Sequence, residues 1–351
     1  MLCLIGAGIY DAVEMSYSIE ILKDCDRIYL ERFTSPISDD FINNVKVILG
    51  QGKKIQIVKR WFVEDGRQIL DESKTMNVGL VSYGDPSIAT TFTELRIRAL
   101  KNNINVKIIH AASGITSLVG ECGLQIYKMG RLVTMMQEKQ SAISVYSTIF
   151  SNLNLNCHTI ILTEYRQEED GSEFFLKPNH VMSKLLEVEG DIKYDIISED
   201  SYLIVVSRIG AGNQKIVSGK IKSLIDLEYE RGPHSIVFPA KLHFTEEEAI
   251  LNLTDVIDRP IDNTTKIKNV SDYMLNKYEP MIRNEIKQIR GTISSKKENK
   301  VRLELLNNAE FYLDDAIQFS RQGRKELAIL SVGYADGLID SLKQLLDLDS
   351  M

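Results

Sequence analysis

Five short apolar runs, at residues 2–5, 27–30, 55–58, 78–83 and 106–109, punctuate the first third of this 351-residue chain. Helix-length segments fall between them, at 16–23, 38–49 and from about 89 to 100. Short strands this rich in β-branched and other apolar residues need cover, and alternation with helices supplies it on both faces. The pattern predicts an α/β domain with a mainly parallel sheet.

Beyond residue 110 the pattern changes. Strands are expected at 132–136, 159–163, 202–207 and 235–238, with helices near 144–152 and 178–186. Several of these strands alternate polar and apolar residues, which predicts a mixed or antiparallel sheet. After the polar, proline-containing stretch 258–263, no strand signal remains. Leu305, Ala309, Tyr312, Ala316 and Phe319 recur at helical spacing, as do Leu327, Leu330, Tyr334, Leu338, Leu342 and Leu345. Gly323 suits the cap between these two helices. An earlier helix over 270–289 contains Pro280 and is expected to kink or split there. The division expected is 1–110, an N-terminal α/β domain; 111–258, a second α/β domain; and 264–351, a helical domain.

Composition excludes several classes. A net charge of −7 gives no support to wrapping nucleic acid, which needs a basic surface. No apolar run approaches the roughly 20 residues that span a bilayer, and the amino terminus lacks the basic and apolar regions of a signal peptide. Cys3, Cys25, Cys122 and Cys157 are far apart without a C-x-x-C pair, and the five histidines show no metal-ligand spacing. A soluble, cytoplasmic protein without a metal is expected.

The richest local signal is Gly84-Asp85-Pro86-Ser87-Ile88-Ala89-Thr90-Thr91, at the carboxyl end of the fourth apolar run. In open α/β sheets ligands bind at the carboxyl ends of strands, so a carboxylate there is well placed to touch one. The same tripeptide suits a helix start, with Asp85 as N-cap and Pro86 in the first turn. Gly6-Ala7-Gly8 after the first run invites a dinucleotide reading, but the third glycine of that fingerprint falls on Asp11, so it fails. His234, just before a strand, has a structural reading and a chemical one. Glu31 and Glu164 both follow strands, and a paired-carboxylate site rests on a distance that sequence does not give. No nucleophile elbow, phosphate loop or zincin motif is present.

In order and spacing, several segments resemble the tetrapyrrole-methylase-like (class III) methyltransferases, and in particular their diphthamide-biosynthesis branch. They are Gly6-Ala7-Gly8-Ile9-Tyr10-Asp11, 26–35, 84–99, His110-Ala111-Ala112-Ser113, 123–128, and Gly232-Pro233-His234 before 239–243. The resemblance covers about residues 1–255. It implies two α/β domains with S-adenosylmethionine held in the cleft between them, and a homodimer. It also implies methylation of the amino group of a 3-amino-3-carboxypropyl-histidine on translation elongation factor 2, to the trimethyl form. The tail segments 312–316 and 331–340 resemble an uncharacterised archaeal helical domain, whose partner is unknown.

Carried over by position, the implied cofactor contacts fall on Ile9, Asp85, Ile88, Ser113, Thr163, Ile209 and His234, with Gly114 or Ile115 beside Ser113. Ile9 and Ile88 supply apolar walls, while Asp85 and Ser113 supply polar contacts at strand ends. Asp85 is read as positioning the donor, not as a base, and no catalytic residue is assigned. The chain departs from the family at Phe92, where a histidine is usual, at 134–140, and at Ile209, which is larger than its counterpart. Two rival readings stand beside this one: a precorrin-type methyltransferase, and a non-catalytic protein acting through its tail.

Overall fold

The computed structural model describes residues 1–9, 16–34, 36–50, 53, 55–167, 172–263, 270–292 and 300–349. The chain divides into two compact units, Met1–Ile267 and Lys268–Met351.

The first unit begins with a five-stranded sheet of β1 (Leu2–Gly6), β2 (Arg27–Glu31), β3 (Ile55–Val58), β4 (Val78–Ser82) and β5 (Val106–Ile109). Every pairing is parallel and the order is β3-β2-β4-β1-β5. Helices α1 (Ser16–Lys23), α2 (Asp39–Leu49), α3 (Arg60–Asp65), α4 (Arg67–Ser73) and α5 (Phe92–Lys101) run between the strands. Strand pleating sends alternate residues to opposite faces. Cys3 and Ile5 of β1 therefore join Leu22 and Phe41 in one core, while Leu2 and Leu4 join Phe92 and Leu95 in another. Both faces are covered, as the alternation of apolar-rich runs with helices predicted. Because β1 sits between β4 and β5 and pairs with both in parallel, the carboxyl ends of β4, β1 and β5 lie side by side and form one rim.

A six-stranded mixed sheet follows, with β6 (Val133–Met135), β7 (Thr159–Thr163), β10 (Tyr202–Ser207), β11 (Lys215–Lys220), β12 (His234–Phe238) and β13 (Asp255–Val256). A short hairpin, β8 (Tyr165–Gln167) and β9 (Glu173–Phe175), branches from the end of β7. The helices of this part are α6 (Gly114–Glu121), α7 (Lys139–Asn154), α8 (Pro178–Ile192), α9 (Ile221–Leu224) and α10 (Phe244–Leu253). α7 and α8 cover one face of the sheet through Val145, Ile149, Val181 and Leu185, and α6 and α10 cover the other through Leu118, Val119 and Ile250.

The second unit contains α11 (Val270–Thr292), α12 (Lys300–Arg321) and α13 (Lys325–Asp349). Ile282, Ile286 and Ile289 pack with Leu306, Ala309, Leu313, Val332, Ala335 and Ile339. Of the kink or split expected at Pro280, the split does not occur, since α11 continues through it. A proline inside a helix costs about 3 kcal/mol, whereas each isoleucine buried downstream stabilises by roughly 1.5–3 kcal/mol. Gly323, at φ 76°, closes α12 in the left-handed conformation that favours glycine. Among the described residues no helix is long and apolar enough to cross a membrane.

Candidate active site

Glycine shapes the rim of the parallel sheet. Gly8 (φ 73°) and Gly84 (φ 70°) adopt left-handed backbone, and each donates its N–H to the other's carbonyl, at 3.2 and 2.9 Å. A Cβ on Gly6 would lie 2.6 Å from the Gly84 carbonyl oxygen and 2.8 Å from the Ala111 Cβ. The loops after β1, β4 and β5 can meet only because that atom is missing.

Asp85 locks these loops together. Its Oδ1 accepts the Ser87 N–H at 2.8 Å. Its Oδ2 accepts the Ala111 N–H at 3.1 Å and lies 2.9 Å from His110 Nδ1. Burial alone would raise its pKa, but the Ser87 N–H, His110 and the Ala111 N–H outweigh that and hold it below the ordinary carboxylate value. Asp85 is thus a strand-end anchor that stays ionised. It is not the N-cap of the following helix. The Ile88 N–H donates to the Asp85 carbonyl in a turn, Ala89 has φ 55°, the Thr90 hydroxyl donates to the Pro86 carbonyl, and α5 starts only at Phe92. His110 was not singled out from sequence, because its pairing with Asp85 depends on β5 lying near β4.

A cavity of about 320 Å3 opens beside this rim, lined by Asp85, Ile88, Ser113, Gly114, Ile115, Thr163 and Ile209. Ser113 caps α6, its Oγ accepting the Ile115 N–H at 3.3 Å. The Thr163 hydroxyl donates to the His234 carbonyl at 2.8 Å. Thus seven of the nine residues named from sequence line one cleft between the two sheets. The other two stand at its borders. Ile9 lines a neighbouring chamber and packs against Gly210, where a Cβ would lie 2.7 Å from its Cγ1. The His234 imidazole turns away to a different cavity, edge-on to Tyr229, with Nδ1 and the Ser207 hydroxyl 2.8 Å apart. Burial, with Arg208 adding to it, depresses its pKa to about 4, so the ring is neutral.

Of the two acids considered as a pair, Glu164 lines the cleft. Its Oε2 accepts the Gln137 N–H at 2.8 Å and its Oε1 pairs with Arg166 at 3.1 Å. Glu31 is fully buried, and its Oε2 accepts the N–H groups of Phe33 and Thr34, both of which line the cleft. Burial raises its pKa, against those two N–H groups. Glu31 therefore shapes the cleft wall through Phe33 and Thr34. Phe92, at the family's usual histidine position, is buried in the sheet core.

The cleft is of the size of small-molecule pockets, which span roughly 300–1,000 Å3. It combines apolar walls at Ile88, Ile115 and Ile209 with polar groups at Asp85, Ser113 and Thr163. That mixture fits an adenosyl group and a charged tail. Gly114 sets its width, because a Cβ there would lie 3.1 Å from Ile209 Cγ2. Gly114→Val is expected to weaken S-adenosylhomocysteine binding roughly tenfold through overpacking, read by calorimetric titration. Adding Ile209→Ala should restore most of the loss.

Comparison with known proteins defines the class. Residues 1–225 match the family model of the tetrapyrrole (corrin/porphyrin) methylases, and 277–346 match a family of unknown function, DUF357. The chain is 36% identical over 261 residues to the diphthine synthase of Methanocaldococcus jannaschii, covering 73% of this chain and all of that one. It is 32% identical over 261 residues to that of Methanococcus maripaludis, with the same coverage. A crystal structure assigned as a diphthine synthase from Entamoeba histolytica superposes with a TM-score of 0.65 at 30% identity, covering 72% of this chain and 98% of that one. The chain therefore belongs to the tetrapyrrole methylase family and, within it, to the diphthine synthases, which makes it a methyltransferase.

Proposed function

We propose that the protein is the S-adenosylmethionine-dependent methyltransferase that converts the 3-amino-3-carboxypropyl-histidine of translation elongation factor 2 to trimethylated diphthine. The observation that supports this most is the convergence of seven sequence-named donor contacts on one cleft at the carboxyl ends of β4 and β5, in a chain whose relatives are diphthine synthases. The same reading includes a homodimer acting in the cytoplasm.

When bound, S-adenosylmethionine supplies a methyl group already activated by its sulfonium. The protein's part is to bind, orient and exclude water. Asp85 fixes the loops that wall the donor, Ile88, Ile115 and Ile209 enclose apolar surface, and Ser113 and Thr163 add polar groups to the lining. The acceptor must present a neutral nitrogen lone pair in line with the methyl group. As the nitrogen–carbon bond forms, the carbon–sulfur bond breaks and its electron pair stays on sulfur. The first two transfers each leave a proton on nitrogen, which departs to water before the next transfer. The third gives a fixed cation.

The test uses elongation factor 2 with and without the aminocarboxypropyl group, incubated with enzyme and radiolabelled donor. Label should enter the modified factor alone, with mass increments of up to three methyl groups. Equal labelling of unmodified factor would overturn the assignment. Relatives named for diphthine synthesis favour it over a precorrin acceptor, and a precorrin that raises the melting temperature would reverse that preference through binding linkage.

A further inference from the structure

A second chamber adjoins the donor cleft. It encloses about 550 Å3, and Tyr83 and Pro233 line both spaces as a shared partition. Its character differs from that of the cleft. Arg32, Glu173 and Arg231 meet there, contributed by the loop after β2, by β9 and by the loop before β12.

Glu173 is the centre of this cluster, with its side chain only 8% exposed. Its Oε2 pairs with Arg231 Nη2, and Arg32 Nη2 lies 3.8 Å from its Oε1. Arg32 Nη1 is 2.8 Å from Asp39 Oδ1, and its buried Nε has no hydrogen-bond partner among the described residues. The Arg231 guanidinium lies over the Phe175 ring, 5.4 Å from its centroid, and the side chain is 68% exposed. Arg208 is committed to the scaffold. It donates to the carbonyls of Arg231 and Asn213, each at 2.8 Å, and pairs with Glu230 at 3.0 Å. Arg208 thus fixes the backbone from which Arg231 projects.

A guanidinium presents five N–H donors in a rigid fork. Glu173 engages one side of Arg231 and Phe175 supports one face, which leaves donors directed at solvent and the chamber. Asp39 neutralises the far side of Arg32, so the guanidiniums and carboxylates lining the chamber balance in number. What stays open is the exposed edge of Arg231, which a further carboxylate would engage through charge-assisted hydrogen bonds.

We propose that this chamber receives the amino-acid head of the acceptor, with Arg231, aided by Arg32, binding its carboxylate. The nitrogen one carbon away is then presented at the Tyr83–Pro233 partition, where the donor cleft begins. The assignment rests on the proposed function, whose acceptor carries an amine and a carboxylate on one carbon. Arg231 becomes the residue that selects this acceptor, and Arg32 with Glu173 positions it. The Tyr83 ring supplies an aromatic face next to a nitrogen that gains fixed positive charge.

The donor carries the same amino-carboxylate chemistry, so donor and acceptor are tested separately. Arg231→Gln and Arg231→Lys are compared with wild type for S-adenosylhomocysteine affinity, for binding of aminocarboxypropylated factor in its presence, and for KM and kcat toward that factor. The inference predicts that Arg231→Gln weakens acceptor binding and raises its KM roughly 10- to 100-fold, the range of a lost charge-assisted contact. Donor affinity should stay within about twofold. Arg231→Lys should recover part of the loss, since it keeps the charge without the fork. Unchanged acceptor binding in Arg231→Gln overturns the inference and leaves the proposed function intact. A matching loss of donor affinity also overturns it, by giving the chamber to the donor. Wild-type enzyme that binds donor but never labels modified factor overturns the proposed function and this inference together.

Discussion

Replacing Asp85 with alanine is expected to abolish practical donor binding, weakening S-adenosylhomocysteine affinity by at least about 30-fold. The side chain accepts the N–H groups of Ser87 and Ala111 and meets His110. Removing it breaks two hydrogen bonds to a charged group, each worth about 1.5–3 kcal/mol. A gap of even 2 kcal/mol corresponds to roughly 30-fold in affinity. The loops after β4 and β5 then lose their common anchor, and both contribute walls to the cleft. Asp85→Asn keeps one acceptor oxygen and should fall between the two. Calorimetric titration alongside thermal denaturation separates lost binding from lost folding. Wild-type affinity in a folded Asp85→Ala protein would remove Asp85 from the donor site. Because its pKa is lowered, Asp85 stays charged above the ordinary value of 3.8, and its anchoring weakens only as pH falls below that. Its contribution to donor binding should therefore be flat across neutral pH.

Glu246→Ala is expected to destabilise the first unit by about 3–5 kcal/mol, the usual cost of breaking a buried ion pair. Glu246 and His158 are both fully buried. The Ala240 N–H donates to His158 Nδ1 at 2.9 Å, so Nε2 carries the ring proton and donates to Glu246 Oε1 at 3.0 Å. Oε1 also accepts the Gln125 N–H, while Oε2 takes the His243 N–H and the Lys128 ammonium. This cluster ties the start of β7 to α10. Five steps of strand, roughly 17 Å at about 3.3 Å per step, separate His158 from Thr163 in the cleft. Donor affinity should consequently change less than twofold while the denaturation midpoint falls.

Acid should act on the same cluster. Burial would raise the Glu246 pKa, but the His243 N–H, Lys128, the Gln125 N–H and His158 hold it at about 2, against an ordinary 4.5. A depressed carboxylate contributes stability in full above 4.5 and loses it as pH falls toward 2. Burial also lowers the His158 pKa below its ordinary 6.5. The unfolded chain therefore takes up that proton first, and stability declines further below about pH 6.5. Chemical denaturation across pH 3–7 should show a shallower slope in Glu246→Ala than in wild type.

Much of the fold was legible because the strands are short, rich in apolar residues and alternate with helices. The five strands of the first sheet and the long tail helices stand near their expected positions. Other elements carried weaker signals. The hairpin strands β8 and β9 have three residues each, too few for a period to emerge. α6 begins Gly-Ile-Thr-Ser, a poor helix-forming start, and is held by the Ser113 cap and by Leu118 and Val119 in the core. The cap of α10 is His243, outside the usual capping set, with Glu246 completing the box. At Asp85 a helix cap and a loop anchor have the same sequence signature. The choice between them fell to the Thr90 hydroxyl and the left-handed Ala89, which delay α5 to Phe92.

By itself the amino-acid sequence determined where strands end in glycine and which carboxylate follows, because those properties are local to a few residues and their dihedral freedom. It also named seven of the residues that line the cleft between the two sheets. Tertiary structure alone decided that His110 would meet Asp85, that Glu246 would close on His158 and Lys128, and that Glu173 and Arg231 would stand beside Arg32. Those residues lie between 25 and 199 positions apart along the chain. Their meeting depends on the order in which strands pack, and a contact of that kind leaves no periodicity in either partner's own segment.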